Sequence, residues 1–119
     1  MKISEALSQF DIYNGESTES NLKLMWLDRI EGMIYKEIVS NYEDAPPAPA
    51  SCFEGERELL AEDPYSELYI FYMAMQSDLL ARDSVSYLNN ANSFSSAYSS
   101  FADMYNRVHK HKTAGRIDL

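Results

Sequence analysis

The chain has 119 residues, 45% of them apolar, which fits one globular domain with a modest core rather than a disordered segment. Its 19 Asp plus Glu against 10 Lys plus Arg give a net charge of −9. That balance argues against duplex DNA or an anionic membrane surface as the main partner, because both attract a basic footprint. The charge is also uneven: residues 1–81 hold 16 acids and 5 bases, net −11, while residues 82–119 hold 3 acids and 5 bases, net +2. Such a polarity would favour head-to-tail association of copies, although a merely solvated surface is the commoner origin of it. Cys52 stands alone, so the chain has no disulfide framework and no thiolate cluster of its own, and a reducing compartment suits it. The longest apolar run, "LYIFYMAM" at 68–75, has 8 residues, well short of the roughly 20 needed to span a bilayer. The N-terminal "MKISEALSQFD" has acids where a signal peptide wants an apolar block, and the expectation is a soluble, cytoplasmic protein.

In chain order, "SEALSQF" is read as a short helix with Ser4 as its N-cap, and "YNGES" (13–17) as a turn, since Asn-Gly readily supplies a positive φ. In the next segment Leu24, Leu27, Ile30, Ile34 and Ile38 recur in steps of three and four, predicting an amphipathic helix over about 20–42. Gly32 lies inside it at a cost of about 1 kcal/mol relative to Ala, either as a tolerated weak point or as a site of close backbone approach. "DAPPAPA" (44–50) cannot be helical, because proline lacks the N–H donor, so a proline-rich connection is expected over 44–52. Glu58–Ala61 reads as a short extended piece. In "EDPYSEL", Asp63 is the expected N-cap and Pro64 the first helical residue of a helix over about 64–81. Tyr65, Leu68, Tyr72, Met75 and Leu79 are spaced 3, 4, 3, 4, and Tyr69, Met73 and Leu80 widen the stripe into that of a central core helix.

"ARDS" (81–84) breaks that helix, with Asp83 or Ser84 able to cap the next, expected over about 84–109. Tyr87, Ala91, Phe94, Tyr98, Phe101, Tyr105 and Val108 step 4, 3, 4, 3, 4, 3, the seam of a helix packed along its length against another. With so short a loop the two helices form an antiparallel hairpin. Between the aromatics stand serines and asparagines of moderate helix propensity, so tertiary packing must hold this helix. The fold class expected is therefore all-α: a small bundle in which the long hairpin packs on the N-terminal helix. Tyr72, Leu79, Trp26 and Ile34 join the seam residues as expected core. Residues 1–110 form one domain, and 111–119 a flexible tail.

No phosphate-cradling glycine loop, nucleophile elbow or zincin histidine pair occurs in the sequence. His109 and His111 read as cations following a helix C-terminus, beside Arg107 and Lys110, where they interact favourably with the dipole. Glu31, Glu37 and Asp78 are read as solvated surface carboxylates. Trp26 and the nine tyrosines are expected in core and interface rather than as a base-stacking platform. Neither enzymatic activity nor a metal or other cofactor is expected.

The ordered series "SEALSQFD", "WLDRIEGMIYKEI", a proline-containing loop, "DPYSELY" and "SSFADMYNR", over about residues 4–110, resembles a family of small all-helical proteins encoded by tailed bacteriophages and by prophages of Gram-positive bacteria. These are similar in turn to the head–tail connector (adaptor) proteins beneath the portal. Where family members often carry a glycine-containing turn this chain has "ARDS", a departure at the hairpin. The resemblance implies a structural virion protein that assembles as a homo-oligomeric ring on the portal or other neck proteins. DNA would pass through the ring without specific binding, and no membrane would be involved. The protein would be found in the bacterial host cytoplasm during assembly and then in the virion neck. In that setting Arg107, Lys110, Lys112 and Arg116 are the expected partner contacts. The alternative expectation is a cytoplasmic helical protein–protein interaction module, a chaperone or regulatory factor.

Overall fold

With one exception, the helices begin where a side chain can take up a free N–H group of the first turn. In the computed structural model, which describes residues 1–112, these are α1 (Ile3–Asn14), α2 (Ser20–Glu37), α3 (Glu67–Ala81) and α4 (Ser84–Val108), with a short 3₁₀ turn at Val39–Asn41. Glu19 accepts the N–H groups of Asn21 and Leu22 at 3.1 and 3.2 Å to open α2, and Asp83 accepts that of Ser86 at 3.1 Å to open α4. The Asp83 carboxyl is held below the usual carboxylate range by its hydrogen bonds to the Ser86 backbone and side chain. At α1 the expected cap is displaced. Ser4 lies one residue inside the helix, where its N–H and hydroxyl both donate to Glu56, and Glu5 instead accepts the Lys2 N–H at 2.9 Å. Gly15 ends α1 at φ +80°, a left-handed conformation that favours glycine.

Two boundaries differ from the sequence reading. The helix expected over 20–42 stops at Glu37, and the 3₁₀ turn takes the chain on to Tyr42. The helix expected from Pro64 starts at Glu67, after a cis Asp63–Pro64 peptide and a turn in which the Tyr65 N–H donates to Glu62. Asp63 accepts the Ser66 hydroxyl rather than capping the helix through a backbone N–H. The reason lies just upstream, where the Leu60 and Ala61 N–H groups are tied to Glu31 of α2 and Tyr69 of α3, so the chain needs one further turn before α3 can start.

The all-α architecture expected from the sequence is what forms: α3 and α4 pair as an antiparallel hairpin, and α1 and α2 pack against α3. As its apolar circumference implies, α3 is the central helix, burying Leu68, Tyr69, Ile70, Tyr72, Met73 and Ala74. Phe10 and Trp26 meet edge-to-face across α1 and α2, with ring centres 6.2 Å apart, a geometry aromatic pairs favour. Ala6, Leu27, Ile30 and Ile34 are fully buried beside them. The α4 seam enters this core only at Phe101, while Phe94, Tyr98 and Tyr105 lie half-buried along α3 and the 3₁₀ turn.

At the far end the hairpin overhangs. The last brace from α1 is Tyr13, whose ring meets Phe71 edge-to-face at 6.0 Å and whose hydroxyl donates to Asn90 at 2.7 Å; Asn90 in turn donates to Asp78 at 2.8 Å. Past that brace neither α1 nor α2 continues, and the hairpin turn is closed by Arg82 in the left-handed region at φ 56°. The opposite end is closed by backbone pairing. Glu43 donates its N–H to Lys110 at 2.8 Å, and Lys112 donates to Asn41 at 3.0 Å, an antiparallel bridge centred on Tyr42 and His111. The flexible tail expected from His111 is therefore held at its first two residues, 111 and 112; the rest of it lies outside the described residues.

Gly32 is exposed, and a Cβ placed there would meet no atom within 4 Å, so close backbone approach within the chain is not its reason. Gly32→Ala should stabilise the fold by about 1 kcal/mol through helix propensity, read as an upward shift of the urea midpoint with an unchanged slope.

Candidate functional site

Among the described residues the most connected side-chain carboxylate is a buried one. Glu31, only 2% exposed, receives Arg57 Nη1 at 2.6 Å, the Tyr69 hydroxyl at 2.5 Å and the Leu60 N–H at 3.2 Å. The Ala61 N–H donates to the Tyr69 hydroxyl at 2.7 Å, and Arg57 also donates to the carbonyls of Ala50 and Glu58. Burial, and then the Glu31 charge, push the Tyr69 hydroxyl up, which keeps it a donor. One turn earlier on α2, Asp28 accepts the Cys52 N–H at 2.8 Å and the Ser51 hydroxyl at 3.2 Å. Every buried side-chain nitrogen and oxygen among the described residues has a partner, so the cluster is a closed structural network. The reading of Glu31 as a solvated surface carboxylate is thus corrected. Its position, four residues after Leu27 and three before Ile34, places it within the apolar stripe of α2, and that was the available signal. Lys23 on the same stripe is likewise buried and pairs with Asp11 at 2.7 Å.

Cys52 lies beside this network, buried, and its thiol is pushed up to about 12 by burial. A thiol in that state is inert as a nucleophile. Among the described residues no group of three or more His, Cys, Asp or Glu side chains is placed to hold a metal ion. No described helix is long and apolar enough to cross a membrane.

The residues expected along the seam divide by their place on the hairpin. Phe101 is 1% exposed and Tyr72 is buried against Phe94, with ring centres 5.5 Å apart. Tyr98 donates its hydroxyl to Glu37 at 2.7 Å, tying α4 to the end of α2. Trp26 and Ile34 are core. Tyr87 and Ala91 are half-buried and lie outside the core cluster. Leu79 and Val108, expected in the seam, stand 54% and 65% exposed, the first at the overhanging tip and the second as the last residue of α4.

The expected partner contacts do not converge on one site. Arg107 is exposed, Lys110 makes a loose 3.8 Å pair with Glu43, Lys112 is exposed, and Arg116 lies outside the described residues. Around them Tyr42, Tyr105, His109 and His111 form an aromatic cluster, with His109 stacked on Tyr105 at 3.8 Å and its Nδ1 2.8 Å from Asp44.

What remains as a candidate site is surface rather than pocket chemistry. Leu79, Leu80, Val85 and Leu88 are exposed together at the hairpin end, and Ile12 and Tyr13 at the end of α1. Between α1 and α3 runs an open apolar groove of about 370 Å³. Exposed apolar groups gathered in this way mark interaction surfaces. Comparison with protein-family models, with curated proteins and with solved structures returns no match.

Two outcomes check the buried network. Arg57→Met, which leaves the Glu31 carboxylate uncompensated, should destabilise the fold by about 3 kcal/mol in urea unfolding. In the native protein Cys52 should resist alkylation at pH 8 and react fully once the chain is unfolded in guanidinium.

Proposed function

We propose that this protein is a non-enzymatic assembly subunit, a head–tail connector component of a tailed phage that joins a ring beneath the portal. The observation carrying this reading is the overhanging hairpin, whose apolar end is left uncovered on a strongly acidic molecule. A monomeric protein with no partner gains nothing from exposing four large aliphatic side chains at one tip. The resemblance of residues 4–110 to small phage helical proteins supplies the setting. The uneven charge, acidic over residues 1–81 and mildly basic beyond, suits a subunit that offers different surfaces to its two neighbours. An acidic channel wall would let DNA pass without adhering to it. In this reading the partners are further copies of the chain and portal or other neck proteins. The protein resides in the host cytoplasm during assembly and in the virion neck afterwards, and it uses no cofactor.

The test is quantitative mass spectrometry of purified particles from the strain that carries the gene, measured against the major capsid protein. The expected result is a fixed copy number on the order of a dozen per particle, as a single symmetric ring requires. Absence from the particle would sink the connector reading and leave the cytoplasmic interaction module in its place.

A further inference from the structure

Nine large apolar side chains stand exposed among the described residues, and six of them gather at two places. Leu79, Leu80, Val85 and Leu88 form a protruding tip, 66% exposed at Leu80 and uncovered by α1 or α2. Ile12, 80% exposed, and Tyr13 border the groove between α1 and α3, whose other lining residues are Gln9, Glu67, Ile70 and Phe71. One surface is convex and the other concave, and both are apolar. The tip carries Arg82 beside Asp83, and the groove carries Glu67.

A tip cannot fill the groove of its own chain. Leu80 lies nine residues beyond Phe71 on the same helix and, at about 100° per residue, half a turn around it. The matching surface must come from another molecule. For a chain of net charge −9, meeting its own copy is opposed by like-charge repulsion unless the meeting surfaces carry little net charge of one sign or carry opposite charges. At the tip Arg82 offsets its neighbour Asp83, and from Ser84 to Ala102 there is no Asp, Glu, Lys or Arg.

We propose that the hairpin tip of one copy seats in the α1–α3 groove of the next. Leu80, Val85 and Leu88 cover Ile12, Tyr13 and Phe71, and Arg82 comes beside Glu67. The contact joins two different surfaces, so it repeats, closing into a ring or running on as a filament. It rests on the assembly reading above for its biological setting, while the contact itself is measurable without portal.

The experiment is sedimentation velocity on the full chain up to roughly 1 mM, with two variants: Leu80→Glu/Val85→Glu at the tip and Ile12→Glu at the groove. All three positions are exposed, and circular dichroism checks that each variant keeps its helices. The wild type should associate with rising concentration, and each variant alone should associate at least about tenfold more weakly. Mixed together, the variants should form a capped 1:1 dimer, because one keeps an intact groove and the other an intact tip. As an independent check, Arg82→Glu and Glu67→Arg should each weaken association, and their combination in one chain should restore it. A wild type that stays monomeric throughout overturns the proposal, and so does a mixture in which no dimer forms. A monomeric wild type that nevertheless appears in particles at fixed copy number would leave the connector reading standing.

Discussion

The Glu31 carboxylate is the fixed point about which the chain is arranged. Between α2 and α3 the backbone runs through a proline-rich stretch and on to Ser66 with one 3₁₀ turn as its only helical structure, so side chains must hold it in place. Glu31 does this from α2, through Arg57 and the Leu60 N–H on the connection and through Tyr69 on α3. One buried charge therefore sets both the path of the loop and the height of the central helix against α2. α1 is referred to the same frame, since the Ile3 N–H donates to Arg57 and the Leu59 N–H donates to Met1. A buried ion pair adds little net stability over an apolar replacement of equal volume. What it adds here is register: a directional set of donors that aliphatic packing alone would not specify.

The serine- and asparagine-rich composition of α4 follows from its position. Its aromatic seam faces α3 and, at Phe101, the core, and this packing supplies the stability that the intervening residues do not. Those residues are short and mostly exposed, and none is charged between Ser84 and Ala102. Most acids lie elsewhere: 16 of the 19 fall in residues 1–81, where Asp11, Asp28 and Glu31 are consumed in internal bonds. Charge has thus been kept off the first three-quarters of α4, including the part that stands beyond the rest of the bundle.

Periodicity made the helices legible, and it did so for a physical reason: a helix that buries one face must repeat its apolar residues every three or four positions. α2, α3 and α4 were all readable in this way. Their ends were less so. Asp63 and Pro64 look like a helix start, but tethering of the preceding residues moved the start to Glu67. Leu79 and Val108 continue the spacing of residues that are buried, yet they are exposed. Spacing reports which face a residue occupies and says nothing of whether another layer extends that far. Glu31 was hidden by its residue type, since a carboxylate is ordinarily solvated, and its three ligands come from segments far from it in sequence. The groove between α1 and α3 was out of reach for a similar reason, because it depends on where α1 ends against α3.

The backbone bridge of residues 110–112 to Asn41–Glu43 fastens the open end of the hairpin, while among the described residues no hydrogen bond ties the turn at Arg82 to anything outside the hairpin. Mechanically this is a cantilever, clamped at one end and braced part-way along by Tyr13. A rod so mounted deflects most at its free end and concentrates the bending load at its root. Any force taken up at the tip therefore falls first on the Tyr13 brace and then on the buried stretch of α3 from Leu68 to Ala74, before it reaches the ring cluster at the clamped end.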